Sequence, residues 1–248
     1  MSIQRSVSAV RTSQELLKMG LPASRDAVAH LVLNNPLDDP YNRVAKRIFD
    51  IVVSMMLIAL TAPIMAVAWL CIKFESRGPA LFSRLDDGSP VQRIGRDGMP
   101  FPYAKFRSMH PGTHSLRYTA LAERNTRSGP LVKIDNDPRV TLVGQFIRKW
   151  HVDELPEFFL VLRGDMSIVG PRPHLPEEVE KYSHHHRQVL CVKPGITGLS
   201  QVMGGSRLGF NREVAYDCKY IKGWSLWGDL VIVIRTPFAI LARRGDCG

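Results

Sequence analysis

Residues 51–72, IVVSMMLIALTAPIMAVAWLCI, run for twenty-two positions without a charged side chain, and no other feature of the 248-residue chain limits its fold as strongly. About twenty such residues suffice to cross the hydrocarbon core of a bilayer. A membrane segment is therefore expected. A buried helix of a soluble core is the alternative, but such helices seldom stay uncharged for so long. Pro63 stands near the middle, where it removes a backbone hydrogen bond and forces a kink or a break. Each half then measures about 16 Å at helical rise, so two arms can enter the membrane and return from one face. Lys46 and Arg47 precede the run, and Lys73 and Arg77 follow it. A single span carries its Lys/Arg excess on the cytoplasmic side alone. The expectation is a re-entrant membrane helix hairpin hinged at Pro63, with a proline-kinked single span as the other reading.

The formal charge of +10 asks for an anionic partner: nucleic acid, a phosphorylated small molecule or an anionic membrane face. Four cysteines, Cys71, Cys191, Cys218 and Cys247, fall at wide, irregular spacings, which argues against both a zinc site and a disulfide framework. Residues 1–45 are polar and mixed in charge, and no signal peptide is expected from them; a short helix over residues 13–19 is.

Beyond the apolar run, residues 81–83 and 99–109 read as strands separated by the Asp87-Gly88 and Asp97-Gly98 turns, a short β-hairpin. Residues 110–138 read as surface loop with one helix near 116–124. Val143, Phe146, Ile147 and Trp150 then recur at i, i+3, i+4 and i+7 with cations beside them, an amphipathic helix fit either for the headgroup plane or for a protein core. Trp227, Leu230, Val231, Ile234, Phe238 and Leu241 form a second such face, with Trp224, Arg235, Arg243 and Arg244 at its margins. His184, His185 and His186 read as a solvated face and not as a metal site.

The chemistry concentrates in WHVDELP at 150–156 and RGDMSIVGPRP at 163–173. An Asp-Glu pair by itself is usually a solvated helix start. Followed by a glycine-rich turn with an arginine, it becomes a kit for phosphoryl chemistry: a carboxylate nucleophile, a magnesium ligand and a guanidinium fork for phosphate.

Together with KRIFD at 46–50, KFRSM at 105–109, KPGITGLSQV at 193–202 and WSLWGDL at 224–230, these segments resemble the bacterial sugar transferases called monotopic phosphoglycosyl transferases. The resemblance covers roughly residues 44–243, with the motifs in family order. It implies an α/β fold, mostly α: a re-entrant membrane helix, interfacial amphipathic helices and a small cytoplasmic catalytic region. The expected organisation is a flexible segment at 1–45, the membrane helix at 46–75 and a membrane-surface catalytic domain at 76–248. The implied reaction moves a sugar 1-phosphate from a nucleotide diphosphate sugar, with uridine assumed, to polyprenyl (undecaprenyl) phosphate. It releases UMP and passes through an aspartyl phosphosugar. It would be the first membrane step of exopolysaccharide or other glycoconjugate assembly, at the cytoplasmic face of the bacterial inner membrane.

Carried onto this chain, Asp153 is the nucleophile and Glu154 the Mg²⁺ ligand. Lys105, Arg107, Arg172, Lys193 and Arg207 are the expected substrate contacts, with the Gly195–Gly198 loop offering backbone N–H groups to a phosphate. Lys46, Arg47 and Asp50 read as a structural charge cluster at the entry of the membrane helix, Arg47 and Asp50 at the i, i+3 spacing of a helical ion pair. Three positions depart from the family pattern: Glu157 replaces a common glutamine, Leu160 a common asparagine, and Thr61-Ala62-Pro63 a Ser-Pro break. Membrane lipid is an expected partner and nucleic acid is not; the sugar and the oligomeric state stay open. The rival reading is a membrane-anchored basic binding or scaffold protein without catalysis, which leaves the Asp153-Glu154 and Gly-Pro-Arg-Pro constellation unexplained.

Overall fold

The computed structural model describes residues 35–127 and 129–242; the expected helix at 13–19 and the flanking Arg243 and Arg244 lie outside them. The described elements run α1 (Pro40–Glu75), β1 (Leu81–Phe82), β2 (Gln92–Ile94), β3 (Pro100–Pro102), β4 (Lys105–Phe106), α2 (Leu142–Lys149), α3 (Glu157–Arg163), β5 (Ser167–Val169), α4 (Pro176–Val179), β6 (Gly195–Thr197), α5 (Leu199–Met203), α6 (Phe210–Lys222) and α7 (Leu226–Ala242), with short 3-10 turns between them. Helix dominates, and the strands are two or three residues long.

α1 begins at Pro40, six residues before the expected start at 46. The Asp39 side chain accepts from Tyr41 N at 2.9 Å and Pro40 occupies the first turn, where its missing N–H costs nothing. The helix is 36 residues long and is the one described helix long and apolar enough to cross a membrane. The expected division into two antiparallel arms is not seen, because α1 continues through Pro63 as one element. A proline inside a helix forfeits one hydrogen bond, and the Thr61 hydroxyl, donating to Leu57 O at 2.7 Å, adds a side-chain bond in the preceding turn.

Both ends of α1 dock on the same body. Phe49, Val53, Leu57 and Ile58 pack against the main core, which is built around Val161, Met166, Ile168, Val179, Val214 and Ile221. Ala68 and Ile72 join Ala80, Phe106 and Ile147 in a second, smaller cluster. Between and around these contacts Met55, Met56, Leu60, Ile64 and Val67 stay exposed.

The single hairpin expected after α1 is a nested pair of ladders. β2 and β3 pair antiparallel around the Arg96–Gly98 turn, and β1 and β4 pair outside them, Leu81 opposite Phe106. Two 3-10 turns, His114–Tyr118 and Ala122–Arg124, stand where one helix was expected. α2 lies directly on the end of this ribbon, since a Cβ on Gly144 would sit 2.0 Å from Ser108 O.

β5 and β6 form a parallel pair that no periodicity announces, three residues each. Glycine makes the pairing possible: a Cβ on Gly195 would lie 2.1 Å from Gly170 N.

The amphipathic helices divide their apolar faces. In α2, Ile147 is buried while Leu142 and Phe146 face outward; in α7, Ile232 is buried while Trp227, Ile234 and Phe238 are exposed. Trp224, expected at a membrane margin, is instead a core residue whose indole N–H donates to Asp229 Oδ2 at 3.1 Å.

Candidate active site

The Asp-Glu pair sits on a tight bend between two helices. Thr141 caps α2 by accepting from Gly144 N at 2.9 Å, and the helix ends at Lys149. His151 then adopts φ 53°, ψ 23°, the left-handed region that L residues other than Asn, Asp and His enter rarely. This reversal throws Val152–Glu154 into a 3-10 turn, and α3 follows from Glu157.

Asp153 is 4% exposed, and its Oδ2 lies 3.3 Å from Lys105 Nζ at the start of β4. The two oxygens of Glu154 are held separately: Arg172 Nη2 donates to Oε1 at 2.7 Å, and His151 Nδ1 lies 3.3 Å from Oε2. Burial by itself would raise the Glu154 carboxyl, but the Arg172 charge and then the His151 hydrogen bond overcome it and hold Glu154 well below the carboxylate range. In return Glu154 lifts His151 above its ordinary value against burial. Arg172 remains about half exposed, so one face of its guanidinium is available to a ligand.

The parallel pair fixes Arg172. Gly170 N donates to Thr197 O at 2.9 Å and Gly195 N to Pro171 O at 2.8 Å, which pins the backbone on the N-terminal side of the arginine. The Gly195–Gly198 segment therefore does not cradle phosphate through Gly195 as expected; its glycines serve the close approach of two backbones.

Glu157 lies beneath the dyad, buried, with the Tyr103 hydroxyl donating to its Oε1. Burial first, and then the negative charge of Glu154, push its carboxyl up to about 8, so it is protonated at neutral pH and stands in for the glutamine it replaces. Folding thus retains a proton that the unfolded chain releases near 4.5, and this contribution to stability is lost as pH rises from about 4.5 through about 8. Glu157→Gln is expected to raise the melting temperature relative to wild type above pH 8 and to leave it nearly unchanged near pH 5, measured by thermal unfolding across pH. An equal effect at both pH values would show that Glu157 is not a buried proton carrier. Leu160 is a core residue, which accounts for an apolar side chain at that position.

A family model described as bacterial sugar transferase matches residues 41–243. The chain belongs to the bacterial sugar transferase family. It is 39% identical over 218 residues to the undecaprenyl-phosphate galactose phosphotransferase of Salmonella typhimurium, covering 87% of this chain and 44% of that protein. It is 38% identical over 215 residues to the UDP-glucose:undecaprenyl-phosphate glucose-1-phosphate transferase of Klebsiella pneumoniae, covering 84% and 42%. Exopolysaccharide production protein ExoY of Rhizobium meliloti is 36% identical over 212 residues, with 84% of this chain and 90% of that protein aligned. The chain thus spans less than half the length of the first two relatives.

Within this sugar transferase chain, the basic residues expected at substrate separate into four places. Lys105 and Arg172 converge on the dyad. Arg107 does not: it is buried and donates to Ser76 O at 2.9 Å, Arg77 O at 3.0 Å and Ser76 Oγ at 2.8 Å, closing the C-terminal end of α1. Lys193 lies beside Arg47 at Gly164, the opposite end of α3 from the dyad. Arg207 reaches toward Ala242 O, 3.5 Å away at the end of α7. The expected Arg47–Asp50 pair is also reassigned. Arg47 donates to Val161 O and Leu162 O, both at 2.6 Å, capping α3, while Asp50 pairs with Lys46 at 3.5 Å. Tyr103 and His151 are site residues that sequence reasoning missed; His151 adjoins the dyad, but only its backbone conformation shows why it matters.

Proposed function

We propose that this bacterial sugar transferase moves a sugar 1-phosphate from a uridine diphosphate sugar to undecaprenyl phosphate through a covalent Asp153 intermediate. The observation that carries the reading is a buried Asp153 paired with Lys105, next to a Glu154 held by Arg172. The names of the Salmonella and Klebsiella relatives support the carrier and the class of transfer.

In the first half-reaction an Asp153 oxygen forms a bond to the sugar-bearing phosphorus, and the bond from that phosphorus to the bridging oxygen breaks, so UMP leaves with the electron pair. In the second, an oxygen of the carrier phosphate attacks the same phosphorus and expels the Asp153 carboxylate. Lys105 and Arg172 supply positive charge to the phosphoryl oxygens. Burial of Asp153 guards the acyl phosphate against water. His151 keeps Glu154 oriented.

Among the described residues no three acidic, His or Cys side chains converge on a metal position. We infer that Glu154 would hold Mg²⁺ beside the substrate phosphates, as one or two carboxylates commonly do, with one of its oxygens exchanging its Arg172 or His151 contact for the ion. When bound, the ion neutralises the diphosphate and polarises its phosphoryl oxygens. Magnesium-dependent release of UMP across a panel of uridine diphosphate sugars tests the reaction and identifies the sugar. A binding or scaffold protein would release none.

The proposed location on the cytoplasmic face of the inner membrane does not rest on a two-armed hairpin, since α1 is one continuous helix through Pro63. It is supported by the docking of both ends of α1 on one body and by the exposed Leu142, Phe146, Trp227 and Phe238 on two other helices. Tyr41→Cys and Pro90→Cys, each in a cysteine-free background, should both be shielded from an impermeant thiol reagent in intact cells. Labelling at residue 41 alone would establish a full span.

A further inference from the structure

At the end of α3 remote from the dyad, Arg43, Arg47, Arg96 and Lys193 surround a cavity that neither Asp153, Glu154 nor Arg172 lines. Its floor is partly apolar, formed by Leu37 and Val192. Arg43 and Arg47 are held in place but not neutralised. Arg43 donates to Leu37 O at 3.1 Å and Asp38 O at 2.8 Å, and Arg47 to the two α3 carbonyls, so each keeps its full charge. Arg96 meets Asp38 only at 4.0 Å and Asp97 at 3.6 Å, and its Nε is buried without a hydrogen-bond partner. The Lys193 ammonium makes no hydrogen bond, and burial together with the adjacent Arg47 pulls it below the ordinary lysine range. Asp50, the one carboxylate in the lining, is already consumed by Lys46, Ser167 Oγ at 2.9 Å and Ile168 N at 3.0 Å. The cations of the lining outnumber its one carboxylate, Asp50, and Asp38 and Asp97 offer Arg96 only longer contacts, an excess of like charge that costs free energy unless an anion is bound.

We propose that this cavity is a second anion site, separate from the catalytic dyad, that takes the phosphate group of a phosphate ester. Arg47 precedes the uncharged run 51–72 by one turn, so under the membrane reading above the cavity lies at headgroup level. The phosphate comes either from an anionic phospholipid headgroup or from solution, and the same residues would recognise both.

The test uses the full chain, purified in neutral detergent, with Lys193→Gln and Arg96→Gln. If the site takes soluble phosphate, inorganic phosphate should raise the wild-type melting temperature saturably over chloride of equal ionic strength. The rise should be about 3–6 °C at ten times the Kd. Lys193→Gln should lose that rise while melting, without phosphate, no lower than wild type, because an unpaired cation has been removed. If the site takes a headgroup, phosphate has no effect, and native mass spectrometry from phosphatidylglycerol nanodiscs shows one retained lipid on wild type and none on either variant. The proposal is overturned if wild type responds to neither probe, or if both variants respond as wild type does. Asp153→Asn should keep the response, so failure here and failure of the sugar-transfer reading are separately visible.

Discussion

Asp153→Asn is expected to abolish sugar 1-phosphate transfer, with a loss on the order of 10⁵-fold, the scale seen when a covalent nucleophile is removed. An amide oxygen is a far poorer nucleophile than a carboxylate, and the substitution also replaces the ion pair with Lys105 by a neutral contact. The protein should still fold, because asparagine fills the same volume. Wild type incubated with donor but no carrier, then quenched in acid, should show one sugar phosphate added to the peptide containing Asp153; the variant should show none and release no UMP. An unmodified wild-type peptide, with kinetics that require both substrates before UMP leaves, would rule out the covalent route and reassign Asp153 as a base or metal ligand.

Asp229→Ala should be the most destabilising single change outside the site. Asp229 is fully buried at the start of α7. It accepts from Lys46 Nζ at 2.8 Å, Tyr220 OH at 2.8 Å and Trp224 Nε1 at 3.1 Å, while Lys46 also donates to Val169 O at 3.1 Å. Its removal leaves the buried Lys46 ammonium with only the longer Asp50 contact at 3.5 Å and a carbonyl, and leaves the Trp224 indole N–H without its acceptor, a defect that costs about 3–5 kcal/mol. For a chain of this size that corresponds to a melting temperature lower by roughly 6–20 °C. Replacing the charges together, as Lys46→Met with Asp50→Asn and Asp229→Asn, should cost less than the single change, since no charge is left unpaired. A single-variant loss under about 2 °C would mean that this network does not hold α1, β5, α6 and α7 together.

Several parts of this molecule were legible in one dimension. The uncharged run and the α2 period are local patterns, and the structure shows a helix at each. Lys46, Arg47 and Asp50 were readable as a structural cluster beside the apolar run, but the pair expected from spacing was Arg47 with Asp50, and the pair formed is Lys46 with Asp50. The partner that completes the network, Asp229, lies 183 residues further along from Lys46, beyond any local pattern. Short strands failed for a related reason. β5 and β6 are too brief to show a period, and only their pairing identifies them.

The sequence by itself determined the elements whose physics is local: where α1 must be apolar, and which carboxylates and cations the chain possesses. Only the tertiary structure decided how those charges are spent. Arg107 and Arg172 were both expected at substrate from the sequence, yet Arg107 closes the end of α1 and Arg172 faces Glu154. A guanidinium binds carbonyls, carboxylates and phosphates with the same fork, so its role follows from which acceptor the fold brings within reach. The same holds for Glu157, whose proton is retained because the fold surrounds it with Tyr103, apolar core and a neighbouring carboxylate.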